Sequence, residues 1–361
     1  MQKLSRGLPQ PARLAVWLAV LFLSSVIGLK AASPATPEDF QALRRIPTID
    51  VVRAAALRET VWLIFDDKRT AQAAEIEAFD PDLRALVWLT FLDRSLGRDG
   101  LHTFFFMEGG DFAPQVLRSL EYAQMRREAP IFKDAMGLFG PTYPLAHKQR
   151  TQLFAWSQPG RKIEEGVTMP NELNAFDNAL MAKADDFGSS EALGAQIAAF
   201  VERTPSLTAW ADAARATMTD DDRLTWLLQQ LTVSDWATLR SEIAAWPKPY
   251  RQVFLLELFN AEMLNGGVHQ FFSNSTGDLA PEIVATMREV GLPRHADAVQ
   301  RSMDMLGDPY PVDRAIRHER YFSKEWSEWD EKLNAATGEV DDGEIIGKML
   351  EIVKREGLLP R

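Results

Sequence analysis

The chain is predicted to be all-α, built as two tandem copies of one helical domain behind an N-terminal signal segment. Three observations carry this. Apolar residues recur at three- and four-residue spacing along most of the chain, and alternating β-type runs are nearly absent. The periodic segments are dominated by Ala, Leu, Glu, Arg and Met, which are strong helix formers. The sequence also repeats itself. Shifted by 167 positions, residues 75–144 lie on residues 242–311 without a gap and with 19 identities in 70 positions. Unrelated chains would give roughly one in 15 to 20, so the match marks a duplicated domain.

Residues 1–13 carry Lys3, Arg6 and Arg13 and no acid. Residues 14–29 (LAVWLAVLFLSSVIGL) are uncharged, and Lys30-Ala-Ala-Ser-Pro-Ala35 follows. A basic start, an apolar stretch and small residues form the pattern of a secretory signal. Cleavage would follow Ser33-Pro34-Ala35 or Leu29-Lys30-Ala31. If retained, the segment would be an anchor, although its 16 uncharged residues fall short of the ~20 that span a bilayer. The expected address is periplasmic or secreted, with inner-membrane anchoring facing the periplasm as the alternative. The chain has no cysteine. Its stability therefore comes from packing, which a copy of roughly 150 residues can supply.

Domains are expected at 1–35 (signal or anchor), 40–205 (first copy) and 206–361 (second copy). Ala35–Asp39 reads as a Pro-containing linker. From Phe40 the pattern is helical, with apolar runs at 49–57 and 61–65. In the second copy, 220–231 and 234–245 read as successive helices, each with an acidic or hydroxyl starter. Residues 251–264 (RQVFLLELFNAEML) are apolar almost all round and mark a buried central helix, which Asn265-Gly266-Gly267 is expected to end as a glycine cap does. Residues 268–274 read as a short helix, 275–278 as a turn, and 280–290 as a helix with Pro281 in its first turn. Helices are further expected at 295–306, 325–333 and 343–356. The tail of the repeat survives at an offset of 153, where Phe176-Asp177 faces Trp329-Asp330 and Leu193-Gly194 faces Ile346-Gly347. The first copy therefore holds 14 extra residues between Pro144 and Phe176, with Gly and Pro in loop-type context. Residues 205–220 read as the junction.

The second copy carries Asn265-Gly266-Gly267-x-x-Gln270-Phe271-Phe272-x-Asn274-Ser275-x-Gly277 behind its long apolar helix. This resembles a bacterial domain family of unknown function that includes the C-terminal domain of an acidic DNA-mimic protein. The resemblance spans roughly 224–356. It implies an all-α fold and, for the founding member, binding of a DNA-binding regulator through an acidic surface; it supplies no catalytic residue. The first copy departs from the motif. Arg98-Asp99-Gly100 stands for Asn-Gly-Gly, Thr103 for the Gln, and Met107-Glu108 for Asn-Ser. Residues kept in both copies mostly shape backbone and core, and those lost are polar.

The candidate binding residues are therefore Asn265, Gly266, Gly267, His269, Gln270, Asn274 and Asp278. Gln270 and Asn274 share one helical face and could line a polar pocket, or could satisfy backbone groups at a helix junction. His102 and His269 occupy one position, with Asp111 and Asp278 nine residues on. Such a pair could serve a metal or a base, yet no HExxH or second nearby His is present, and packed or capping histidines are the commoner outcome. His295 and His318 are the conceivable further ligands. There is no GxSxG, phosphate-binding glycine loop, dinucleotide fingerprint or Cys nucleophile. No catalytic residue, metal or cofactor is assigned. The acidic runs 220–222 and 341–342 suit helix starts. Tyr321, Phe322, Trp326 and Trp329 read as core.

Formal net charge is −11, and without the four cations of the signal segment 36 basic residues face 51 acidic ones. That balance disfavours direct binding to nucleic acid or an anionic membrane, and suits a protein partner, a basic one included. Membrane contact is expected only through an uncleaved N-terminus. The sequence leaves the oligomeric state open. The leading expectation is an exported, acidic, non-enzymatic binding protein. Its alternatives are a cytoplasmic DNA mimic sequestering a DNA-binding regulator, and a hydrolase or metal-dependent enzyme centred on His269 and Asp278.

Overall fold

Residues 36–60, 63, 66–155, 173–233, 235–322, 327–338 and 340–361 are described by a computed structural model, and every regular element among them is a helix. Residues 1–35, read above as a signal or anchor, lie outside the described residues, as does 156–172 within the extra stretch of the first copy. No helix among the described residues is long and apolar enough to cross a membrane. Two compact units result: residues 47–217, and residues 36–46 together with 218–361.

Each unit is organised around one long helix. In the first it is Pro81–Phe106, which starts where the Asp80 side chain accepts from the Leu83 N–H and Pro81 opens the first turn. Leu86, Val87, Trp88, Leu89 and Leu92 on it are fully buried. Helices Thr48–Thr60, Ala113–Tyr122, Ala175–Phe187 and Ser190–Glu202 pack around it. In the second unit Lys248–Ser273 plays the same part, covered by Ala280–Val290, Ser327–Thr337 and Asp342–Arg355. An all-round apolar helix is stable only when enclosed in this way.

The expected stop at Asn265-Gly266-Gly267 is only half realised. Gly267 takes a positive φ of 73°, as a capping glycine would, but the helix resumes at once. Val268, His269, Phe271 and Phe272 are buried, so returning to the core outweighs ending the helix. Gly100 makes the same break at φ 76° in the first unit. Only glycine takes this conformation without a Cβ penalty.

The chain's start also differs from expectation. Of the expected linker 35–39, residues 36–39 instead start a helix: Thr36 caps Pro37–Ala42 through a capping box with Asp39, while residue 35 lies outside the described residues. That helix belongs with the second copy's unit, although the first copy follows it in sequence. Phe40 packs on Trp246 and Tyr250 with ring centroids 5.8 and 4.7 Å apart, and the Tyr250 hydroxyl donates to the Phe40 carbonyl at 3.0 Å. Ile46 N–H donates to the Arg361 carbonyl, and Arg361 N–H to that of Arg44, each at 3.0 Å. At the other boundary, helix Pro205–Ala216 buries Leu207 and Ala211 in the same core as Leu89 and Ile197. The units therefore divide at 217/218 rather than 205/206. Thr219 then starts the next helix, Asp220–Gln230, by a capping box with Asp222.

The remaining elements follow the sequence closely. Leu239–Ala245 begins later than 234 because Asp235–Thr238 forms a turn, with Ala237 N–H on the Asp235 carboxylate. Ala280–Val290 ends at left-handed Gly291, and Pro293–Met305 follows. Tyr321 and Trp329 pack edge to face at 4.9 Å but are only half-buried; Trp326 lies outside the described residues.

Candidate functional site

Both copies enclose one arginine completely. Arg150 and Arg317 are fully buried, and they stand 167 positions apart, as the repeat requires. In the second copy Arg317 Nε donates to the Phe272 carbonyl (2.7 Å), Nη1 to Pro311 (3.0 Å) and Nη2 to Asn274 (2.8 Å). Nη2 also meets Asp278 Oδ1 at 2.7 Å. In the first copy Arg150 makes the same set: Phe105 (3.0 Å), Pro144 (3.2 Å), Leu145 (2.7 Å), Met107 (2.9 Å) and an ion pair with Asp111 at 2.7 Å. Tyr143 and Tyr310 each donate to the carbonyl of Gly110 or Gly277 at 2.8 Å. Burial pushes both phenols well above their ordinary pKa, with the neighbouring arginine opposing, so both remain donors.

This knot ties the end of the long helix to the loop before the following short helix. It needs glycine at 110 and 277 because the guanidinium lies against the backbone there. A Cβ on Gly277 would sit 2.8 Å from the Phe271 carbonyl oxygen and 2.9 Å from Arg317 Nη2. Gly277→Ala is accordingly expected to cost about 1–3 kcal/mol in chemical denaturation. An unchanged midpoint would mean that the loop shifts freely.

The knot also settles where the acids of the His/Asp pairs go: Asp111 and Asp278 serve the arginines. His102 Nε2 instead meets Asp177 at 2.9 Å, both side chains buried, while the other Asp177 oxygen accepts from Ala155 N–H at 2.8 Å. His102 thus joins helices Pro81–Phe106 and Ala175–Phe187. His269, its counterpart, is buried at the equivalent point of the second unit. His295 is buried and accepts from the Asp341 N–H at 3.2 Å, at the start of helix Asp342–Arg355; His318 is exposed. Among the described residues no group of three or more His, Asp or Glu side chains is placed to hold a metal ion.

The polar residues of the second copy's motif converge on one side chain that sequence reasoning missed. Glu262 lies on the long helix just before the Gly267 break. Its carboxylate accepts from Gln270 Nε2 (2.7 Å), Asn274 Nδ2 (3.0 and 3.2 Å) and Thr276 Oγ1 (2.8 Å). Thr276 is buried, Glu262, Gln270 and Asn274 are half-buried, and Asn265 and Gly266 are exposed beside them. Gly266 has its own reason: a Cβ there would lie 2.1 Å from Gln270 Oε1. In the first copy the corresponding positions hold Ser95, Thr103, Met107 and Gly109, and Asp99 replaces Gly266. All four members of the cluster are absent together, and the glycine that accommodates Gln270 goes with them. The break in the helix is nevertheless the same in both copies. The cluster is therefore not what shapes the backbone.

Glu257, half-buried on the same long helix where the first copy has Thr90, is a second acid peculiar to this copy. Burial pushes its carboxyl up to about 7, with the Asn260 amide opposing. A raised carboxyl pKa means that stability is greatest below the unfolded value and is lost as pH rises through the folded one. Glu257→Gln is therefore expected to stabilise the protein at pH 8 and not at pH 4, in denaturation midpoints taken across that range.

A family model described as DMP19-like protein matches the chain twice, over residues 77–204 and 244–352. Each match lies within one copy, and the first extends to the copy that lacks the polar cluster. No curated protein and no solved structure gives a match.

Proposed function

The chain belongs to the DMP19-like family, and on that premise we propose that it is an exported, acidic, non-enzymatic protein-binding module. The second copy carries the recognition surface, and the first is a structural partner that has kept the scaffold alone. One observation supports this reading above the rest: both copies retain the buried arginine knot, whereas only the second holds the Glu262 cluster, with Asn265, Gly266, Gln270 and Asn274 at or near its surface. Duplicated domains that share a scaffold and differ in a surface polar group differ in what they can recognise. The signal-like N-terminus and the acidic balance favour a protein partner outside the cytoplasm.

A photo-crosslinking residue placed at 265, compared with one at 98, tests the assignment in cells. Adducts from 265 and none from 98 are expected; equal yields would remove the distinction between copies. The address is tested by alkaline phosphatase fused after Arg361, together with the mass of the mature N-terminus. An active fusion on a chain cleaved near 31–35 supports export. A cytoplasmic, uncleaved product would favour the second reading, mimicry of DNA toward a regulator, for which the acidic charge is the supporting observation.

A further inference from the structure

We propose that the Glu262 centre of the second copy binds the guanidinium group of an arginine on a partner protein. This rests on the reading of the second copy as a recognition surface and names the chemistry it recognises. The first step is charge. Among the described residues every donor to Glu262 is neutral, and no Lys or Arg side chain pairs with it. Three other buried or half-buried acids of the two copies are paired with cations: Asp93 with Arg53, Asp111 with Arg150, Asp278 with Arg317. Glu262, by contrast, is held in place by three neutral side chains with no such cation against it.

The second step is orientation. The amide nitrogens of Gln270 and Asn274 are committed to Glu262, which fixes which end of each amide is which. Their oxygens are left as acceptors, and among the described residues no donor takes either of them. Gln270 Oε1 lies against the exposed backbone of Gly266. The centre thus offers two oriented carbonyl acceptors backed by a fixed negative charge. A planar cation with several donors satisfies both features at once, and guanidinium is such a group. An ammonium supplies the charge with a less matched set of donors, and a neutral amide lacks the charge altogether.

The third step is dispensability. The first copy makes the same helix break at Gly100 with Ser95, Thr103, Met107 and Gly109 in these positions, so the fold does not require the centre.

The test is titration of the full chain with acetyl-arginine amide, followed through the side-chain amide NMR signals of Gln270 and Asn274. Acetyl-citrulline amide is the neutral isostere. Saturable shifts with the arginine probe are expected, weaker ones with acetyl-lysine amide, and none with citrulline. Glu262→Gln is expected to weaken the arginine probe about tenfold or more, the scale of one charge-assisted interaction. Should that variant fold poorly, Gly266→Ala puts a Cβ 2.1 Å from Gln270 Oε1 and 2.9 Å from Gln270 Cβ, displaces that side chain, and is expected to weaken the probe as well. Absence of shifts with arginine, or equal shifts with citrulline, would overturn the proposal. Crosslinks from position 265 in that event would leave the recognition surface standing and remove only the guanidinium site. Arginine binding without crosslinks would do the reverse.

Discussion

Arg317→Leu is expected to destabilise the second copy's unit by about 3–5 kcal/mol, the scale of breaking a buried ion pair by removing one partner. The arginine side chain is fully buried, and its loss leaves the carbonyls of Phe272, Pro311 and Asn274 without their donor and Asp278 without its counter-charge. Each such carbonyl pays a desolvation cost that leucine cannot return. Leucine also fails to fill the volume between the Tyr310 ring, 5.7 Å from the guanidinium carbon, and the Gly277 backbone. Arg317→Lys is expected to fall between the two, because one ammonium cannot reach three carbonyls and a carboxylate in a fixed fork. Hydrogen exchange in peptides from 268–280 localises the effect. Arg150→Leu should do the same to peptides from 101–113. A loss below about 1 kcal/mol would mean that the freed carbonyls find other donors and that the knot is not what holds this loop.

Phe40→Ala should cost about 3–5 kcal/mol, the usual range for deleting a buried phenyl ring. The informative part is where the loss appears. Phe40 is 6% exposed, and its ring partners are Trp246 and Tyr250, more than 200 positions away. Exchange protection should therefore fall in 246–260 and be unchanged in 85–105. The opposite pattern would place residues 36–46 with the first copy. Removing residues 36–46 altogether should act in the same direction and more strongly, since it also takes away the backbone pairing of Arg44 and Ile46 with Arg361.

Much of the site was legible in the residues, but only as a set without a centre. Gln270 and Asn274 stood out because they share a helical face and because the first copy lacks them. Glu262 did not, being one acid on an otherwise apolar helix. Its role arises from the break at Gly267, which brings groups 8, 12 and 14 positions ahead back onto it. The signal available was joint absence: Ser95, Thr103, Met107 and Gly109 replace all four members. The arginine knot carried a plainer signal. Extending the 167-position alignment six residues beyond Pro144 and Pro311 pairs Arg150 with Arg317. The His/Asp spacing of nine misled, because the histidine's partner in the first copy lies 75 residues away, at Asp177.

The sequence by itself determined the helical class, the duplication, the glycine at each helix break and the starts of several second-copy helices, such as those at Asp220 and Ala280. All of these are local: they depend on side-chain period, cap chemistry and the conformational freedom of single residues. Tertiary structure alone decided that the Pro37–Ala42 helix completes the second copy, that Asp111 and Asp278 answer to arginines, and that Gln270, Asn274 and Thr276 share one carboxylate. Those pairings follow from burial. A polar group removed from water must take whichever partner the packed chain brings within reach, and that choice is made by contacts a local sequence window does not contain.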